Sequence, residues 1–175
     1  NEQGTYEMVE YLIGCGHKEI GHLKSKVQII NFAEREEGYH RAMAEHKFTC
    51  RKEYEFSVGP TFESAYRDMT AYLSEGRKLP TAFMADNDAI AMGTMKAMQE
   101  AGISVPEQVS VMGFDDVRNC QLVEPMLTTV RVRKNSMGKM ATSSLINRIN
   151  EPSDEYVILR IGTDIVVRDS VSKIN

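Results

Sequence analysis

Apolar positions along the chain follow two alternating rhythms. Residues 82–85 (AFMA) form a short unbroken apolar run, the pattern of a strand buried on both faces, and residues 109–114 repeat it. Residues 20–23, 54–58 and 127–132 read as further strands. Between them the spacing turns helical. Met8, Leu12 and Cys15 line a helix over 5–15 that Gly14 and Gly16 end. Asn31 and Glu34 resemble a capping box for a helix with Phe32, Tyr39 and Met43 on one face, ending near His46. Thr61 caps a helix striped by Phe62, Ala65, Tyr66, Met69 and Leu73 and closed by Gly76. Asp86, Asn87 and Asp88 cap another, which runs to Ala101 and stops at Gly102. Asn135 or Ser136 caps a last helix, with Met137, Met140, Ala141, Leu145 and Ile149 on one face. Residues 117–126 read as a loop and 151–154 as a turn, and β-rich runs at 156–161 and 164–168 are split by Gly162. Strands and helices alternating about every 25 residues predict an α/β fold with a doubly wound parallel sheet.

The unit from 80 to 116 organises the rest. Two parallel strands joined by one helix carry their carboxyl ends to the same sheet edge, where ligands of open α/β sheets bind. Here that edge bears Asp86, Asn87 and Asp88 after one strand and Asp115 and Asp116 after the other. Carboxylates and an amide in fixed positions suit a molecule dense in hydroxyl groups and would repel a phosphate. The competing reading is that these residues only cap helices and make turns.

The same unit, PTAFMADNDAIAMGTMKAMQEAGISVPEQVSVMGFDD, resembles the effector-binding core of LacI/GalR-family transcription regulators. GHKEIGHL, the ERxxGY segment, PMLTTVRV, MGKMATSSLINRI and DIVVRDSV also match in the family's order, covering nearly the whole chain. The resemblance implies a periplasmic-binding-protein-like body of two lobes. Residues of about 4–127 and 156–171 would form the lobe distant from DNA, one lobe nearly complete. Residues of about 128–155 would supply a crossing and part of the near lobe. The helix-turn-helix head lies outside the sequence, so the chain reads as part of one effector-binding domain.

By the same resemblance, Arg35 of the ERxxGY segment, Asn87 and Asp115 bind the effector. Asp86, Asp88 and Asp116 are weaker candidates with capping as their alternative. The family often stacks an aromatic residue on its ligand near the start of the 61–76 helix. Pro60 occupies the expected place and Phe62 stands close by. Three Glu neighbours of Arg35 offer it a purely structural pairing instead.

Composition narrows the function classes. A net charge of −4 argues against nucleic-acid binding by this segment alone. No apolar run reaches membrane-spanning length, so no membrane partner is expected. Cys15, Cys50 and Cys120 are odd in number and widely spaced, which suggests free thiols in a reducing cytoplasm. His17, His22, His40 and His46 make no paired metal motif, and no dinucleotide or P-loop glycine pattern occurs, so neither metal nor cofactor is expected. No nucleophile–base pair is visible, which sets aside an enzyme with a flavodoxin-like sheet.

The helix over 88–101 is apolar on two sides. Ile90, Ala97 and Ala101 make one stripe, Ala91, Met95 and Met98 a second, and Met92 extends it. One stripe covers a sheet and the other needs a partner, either a helix of the same lobe or a second subunit. The family places this helix and the 117–126 loop at its dimer interface, which nominates Met92, Met95, Met98 and Val123. The reading at this stage is a sugar-responsive regulator that acts as a homodimer in the cytoplasm and reaches operator DNA through its head. A periplasmic sugar-binding component of an ABC transporter, which shares the fold, is the alternative.

Overall fold

In the computed structural model, residues 1–151 and 156–174 are described. The chain builds α1 (Glu2–Gly14), β1 (Ile20–Ser25), α2 (Ile30–Glu45), β2 (Glu55–Val58), α3 (Phe62–Ser74), β3 (Ala82–Ala85) and α4 (Asp88–Glu100). It continues through β4 (Ser110–Asp115), β5 (Thr128–Val132), α5 (Lys134–Asn150) and β6 (Thr163–Val166). The strands form one six-stranded sheet in the order β2-β1-β3-β4-β5-β6. All pairs are parallel except β5–β6, which is antiparallel and sits at the edge. The chain reverses its direction of winding between β1 and β3, so their carboxyl ends diverge into a crevice.

Both faces of the sheet are covered, as its all-apolar inner strands require. Along β3, Ala82 and Met84 face α1 and α2, while Phe83 and Ala85 face α3 and α4. Strand β4 alternates the same way, Met112 and Phe114 to one side and Val111 to the other. Each helix pair meets closely because one member lacks a Cβ at the crossing. A side chain at Gly38 would strike the Glu2 carbonyl of α1, and one at Gly93 would strike the Phe62 carbonyl of α3.

The second apolar stripe of α4 is covered inside this chain. Met98 is fully buried, and Met92 and Met95 are nearly so, in the cluster they share with Ala65 and Met69 of α3. Val123 is partly buried against the same cluster. The outward face of α4 is polar, with Lys96, Gln99 and Glu100 exposed.

Several local expectations change. Asn31 does not cap α2: the helix starts two residues earlier, at Ile30, with Ile29 as an uncapped N-cap. Asn31 and Glu34 instead both accept from the Asn1 amide. Neither Asn135 nor Ser136 caps α5, which begins at Lys134 behind Arg133 with no side-chain cap. Residues 156–161 take no strand. Tyr156, Val157 and Ile158 lie exposed. The turn expected at 151–154 falls mostly outside the described residues. Thr61 does cap α3, in a reciprocal box with Ser64.

Beyond β6 the chain runs back across the amino ends of the strands. The buried Ser170 donates to the Val111 carbonyl at 2.6 Å and accepts from the Thr128 amide at 2.9 Å. His17 is buried there between the Thr81 hydroxyl and the Ser172 carbonyl, at 3.0 and 3.1 Å, and burial lowers its pKa. The cysteines are free thiols, Cys15 and Cys120 buried and Cys50 half-buried.

Candidate functional site

Loops after β1, β2, β3 and β4 all leave the same sheet edge, because those strands are parallel. Helices α1 to α4 therefore begin at that edge, with their unpaired amides directed toward it. Asp86 anchors the crevice between β1 and β3. It is fully buried, and its carboxylate accepts from the Ser25 amide at 2.7 Å and pairs with His22 Nε2 at 2.7 Å. Its carbonyl accepts from Arg35.

Arg35 reaches this place from the second turn of α2. Its guanidinium stacks 3.8 Å from the Phe114 ring centroid and donates to Asp115 at 3.3 Å. Only 5 % of the residue is exposed. Burial lowers the Arg35 pKa, while Asp115 and Asp86 oppose that shift. Burial likewise raises the Asp115 carboxyl against the pull of Arg35 and Lys134. The pair is thus half-desolvated: the guanidinium lies beneath, and the carboxylate is about a third exposed above it. That exposure leaves the Asp115 carboxylate able to accept from a ligand.

Asn87 stands on the next helix start. Its Oδ1 accepts from the Ile90 amide at 2.8 Å, and its Nδ2 donates to the Pro60 carbonyl at 3.2 Å. It is therefore both N-cap and tie to the loop after β2, and it keeps one N–H and partial exposure for another partner. Phe62 opens α3 at the same edge and is 36 % exposed.

Asp88 turns inward. One oxygen accepts from the Val117 amide at 2.8 Å and the other from the Thr129 hydroxyl. Burial pushes this carboxyl up to about 6 despite those donors. Asp86 and Asp88 thus hold strands and loops together beneath the edge, with their lone pairs committed to protein donors. Asp116 is held by two arginines: Arg168 donates to one oxygen and Arg131 to the other, each at 2.6 Å. Burial raises its pKa, and the two guanidinium groups more than offset that, leaving it below the usual carboxylate range.

One participant was not legible from periodicity or motif. Asn1 accepts from Arg35 Nε and Nη2, both at 3.3 Å, and donates to Glu34 at 2.8 Å. A side-chain amide preceding a helix signals a cap, but Asn1 makes no capping bond and turns to Arg35 instead. Its role depends on α1 and α2 packing side by side, which local sequence does not encode.

The set offers donors and acceptors without a nucleophile–base pair. Among the described residues, no group of three or more His, Cys, Asp or Glu side chains is placed to hold a metal ion, and no helix is long and apolar enough to cross a membrane. A cleft of about 740 Å³ lies elsewhere, between the end of α4, residues 102–107 and Arg168–Asp169, and none of Arg35, Asn87 or Asp115 lines it.

A family model described as a periplasmic binding protein-like domain matches residues 9–171. The HTH-type transcriptional repressor PurR of Haemophilus influenzae is 33 % identical over 174 residues, covering 98 % of this chain and 52 % of the relative. The chain thus spans about half the length of the curated relatives it matches. A sugar-binding LacI-family regulator of Escherichia coli, crystallised with phosphate, superposes with a TM-score of 0.88 at 31 % identity, covering 99 % of this chain and 62 % of the other. The lac repressor dimer bound to operator and an anti-inducer gives a TM-score of 0.87 at 26 % identity, covering 98 % and 51 %.

Proposed function

The chain belongs to the periplasmic binding protein-like domains of LacI/GalR-type regulators, and from that premise we propose that it is the effector-sensing portion of a transcription regulator. The observation that carries the proposal is the Arg35–Asp115 pair set beside Asn87 at the divergence of β1 and β3. A cation, an exposed carboxylate and an amide bind and orient a polar molecule, and nothing beside them performs a chemical step. The transporter alternative is not favoured, since relatives matched over nearly the whole chain, such as PurR of Haemophilus influenzae, are repressors.

Residues of about 4–127 and 156–171 form the lobe distant from DNA. Residues of about 128–155 cross toward the near lobe. The effector lies between the lobes and favours one of their arrangements, because a ligand of equal affinity for both shifts nothing. The regulator is a cytoplasmic homodimer, and its helix-turn-helix head reads the operator. A sugar is the effector class that the hydroxyl-binding chemistry favours, and the likeness to a sugar-binding regulator supports it.

The test is calorimetric titration of the full-length protein with D-ribose, D-glucose, D-galactose and their phosphates. Each of Asp115→Asn, Asn87→Ala and Arg35→Met should lose about 1–3 kcal/mol of binding to the sugar that the wild type takes. Wild-type affinity in all three variants removes this site. Binding of none of these compounds by the wild type removes the sugar class.

A further inference from the structure

The last residue of β4 and the one after it have backbone conformations that side chains rarely adopt. Asp115 has φ 111° and Asp116 has φ 49°. Neither is glycine, so something in the structure must hold them there. The holding group is visible. Both oxygens of Asp116 are occupied, one by Arg168 and one by Arg131, each at 2.6 Å. Arg168 is itself fixed: its side chain is 8 % exposed, and its second nitrogen donates to the Leu127 carbonyl at 2.6 Å. Its backbone amide donates to the Thr128 hydroxyl at 2.9 Å. Arg131 lies opposite Asp115 in the β4–β5 register. The two arginines therefore approach Asp116 from β5 and from the segment after β6.

We propose that Arg131 and Arg168 are positioning residues for the effector site: by clamping Asp116 they hold the preceding peptide in a conformation that aims the Asp115 carboxylate at Arg35. This rests on the reading of Arg35 and Asp115 as effector-facing. Without the clamp, the β4 terminus relaxes to ordinary extended backbone, and the Asp115 side chain turns away from Arg35 toward solvent. An exposed ion pair holds little on its own. A two-armed grip on a largely buried carboxylate is different: each oxygen takes one charge-assisted bond, and the Arg168 fork is fixed in direction by its second bond to the Leu127 carbonyl. The arms come from β5 and from the segment just after β6, on either side of the proposed excursion into the near lobe. A shift of either segment during lobe movement therefore reaches the ligand-facing carboxylate through Asp116.

The test needs no effector, so its outcome stands apart from the sugar reading. Full-length protein carrying carboxyl-labelled aspartate is titrated by carbon NMR as wild type, as Arg168→Lys and as Arg131→Met. Arg168→Lys keeps the charge and loses the fork. Arg131→Met alters a side chain that is half exposed, so the fold survives even if the first variant unfolds. The Asp115 midpoint, raised by burial in the wild type, should fall to the ordinary aspartate value of about 3.9 or below in any folded variant. If the Asp115 midpoint stays at its wild-type value in the folded variants while thermal stability drops, the grip only staples strands together and the proposal fails.

Discussion

Helices α4 and α5 carry the same kind of signal and meet opposite fates. Both are amphipathic, with methionines and aliphatic residues at helical spacing. In α4 nine residues are buried, between the sheet and α3. In α5 none is buried, and Leu145 and Ile149 stand 60 % and 68 % exposed. An apolar stripe thus reports that a helix needs cover and not where the cover comes from. For α4 the cover follows in the same unit, because strand–helix alternation supplies a sheet beneath and α3 alongside. Helix α5 leaves the sheet after β5, and none of its residues is buried against a strand.

The largest effect that separates the two helices is a charge placed in each. Met98→Glu buries an unpaired carboxylate beneath α3 and should cost on the order of 4 kcal/mol by urea denaturation. Leu145→Glu in the same 175-residue chain should change stability by less than about 0.5 kcal/mol. On the proposed two-lobe reading, Leu145→Glu should become costly in the full-length protein, where the remainder of the second lobe would cover α5. A cost already present in the short chain shows that α5 is packed there after all.

A second test compares the polar layers. Asp86→Ala strands the Ser25 amide and the His22 ring beneath the edge and should cost about 3 kcal/mol in thermal or urea unfolding. Lys96→Ala, which removes an exposed helix pair with Glu100, should cost under about 0.5 kcal/mol.

Between these lies a pH effect of Asp88. Its folded pKa, about 6, is above the unfolded value, so the folded state holds the proton more tightly. The group's stabilising contribution is complete below about pH 4 and is lost as pH rises through about 6, a change of about 2–3 kcal/mol. Asp88→Asn should remove that slope, so the variant gains on the wild type between pH 4 and pH 7. Urea midpoints at both pH values measure it. Parallel loss in both proteins assigns the slope to another group.

How far the sequence could be read differs between the sheet and its edge. Residues 82–85 match β3 residue for residue, because an unbroken apolar tetrapeptide between turn residues leaves the backbone few choices. Thr61 was legible as a cap because the capping bond is local. Asn31 was not, since Asn1 lies 30 residues away and competes for its side chain. Arg35 and Asp115 entered through family resemblance, and their contact across 80 residues is a product of topology. That Asp88 faces inward while Asn87 stays partly open follows from which side of the α4 start each occupies. Residues 156–161 show the reverse failure, β-propensity in a segment that takes no strand.

The antiparallel edge strand has a consequence in time. On the ribosome, β5 is made about thirty residues before β6, a wait of about 2–6 s at ordinary elongation rates. Throughout that wait the outer side of β5 is an open edge, with its amides and carbonyls available to any passing strand. Arg168 follows β6, so Asp116 also lacks one of its two partners until then. The nascent chain therefore finishes its sheet and the grip on Asp116 in one late event, and a stall between the two strands would leave it most prone to join a neighbouring copy.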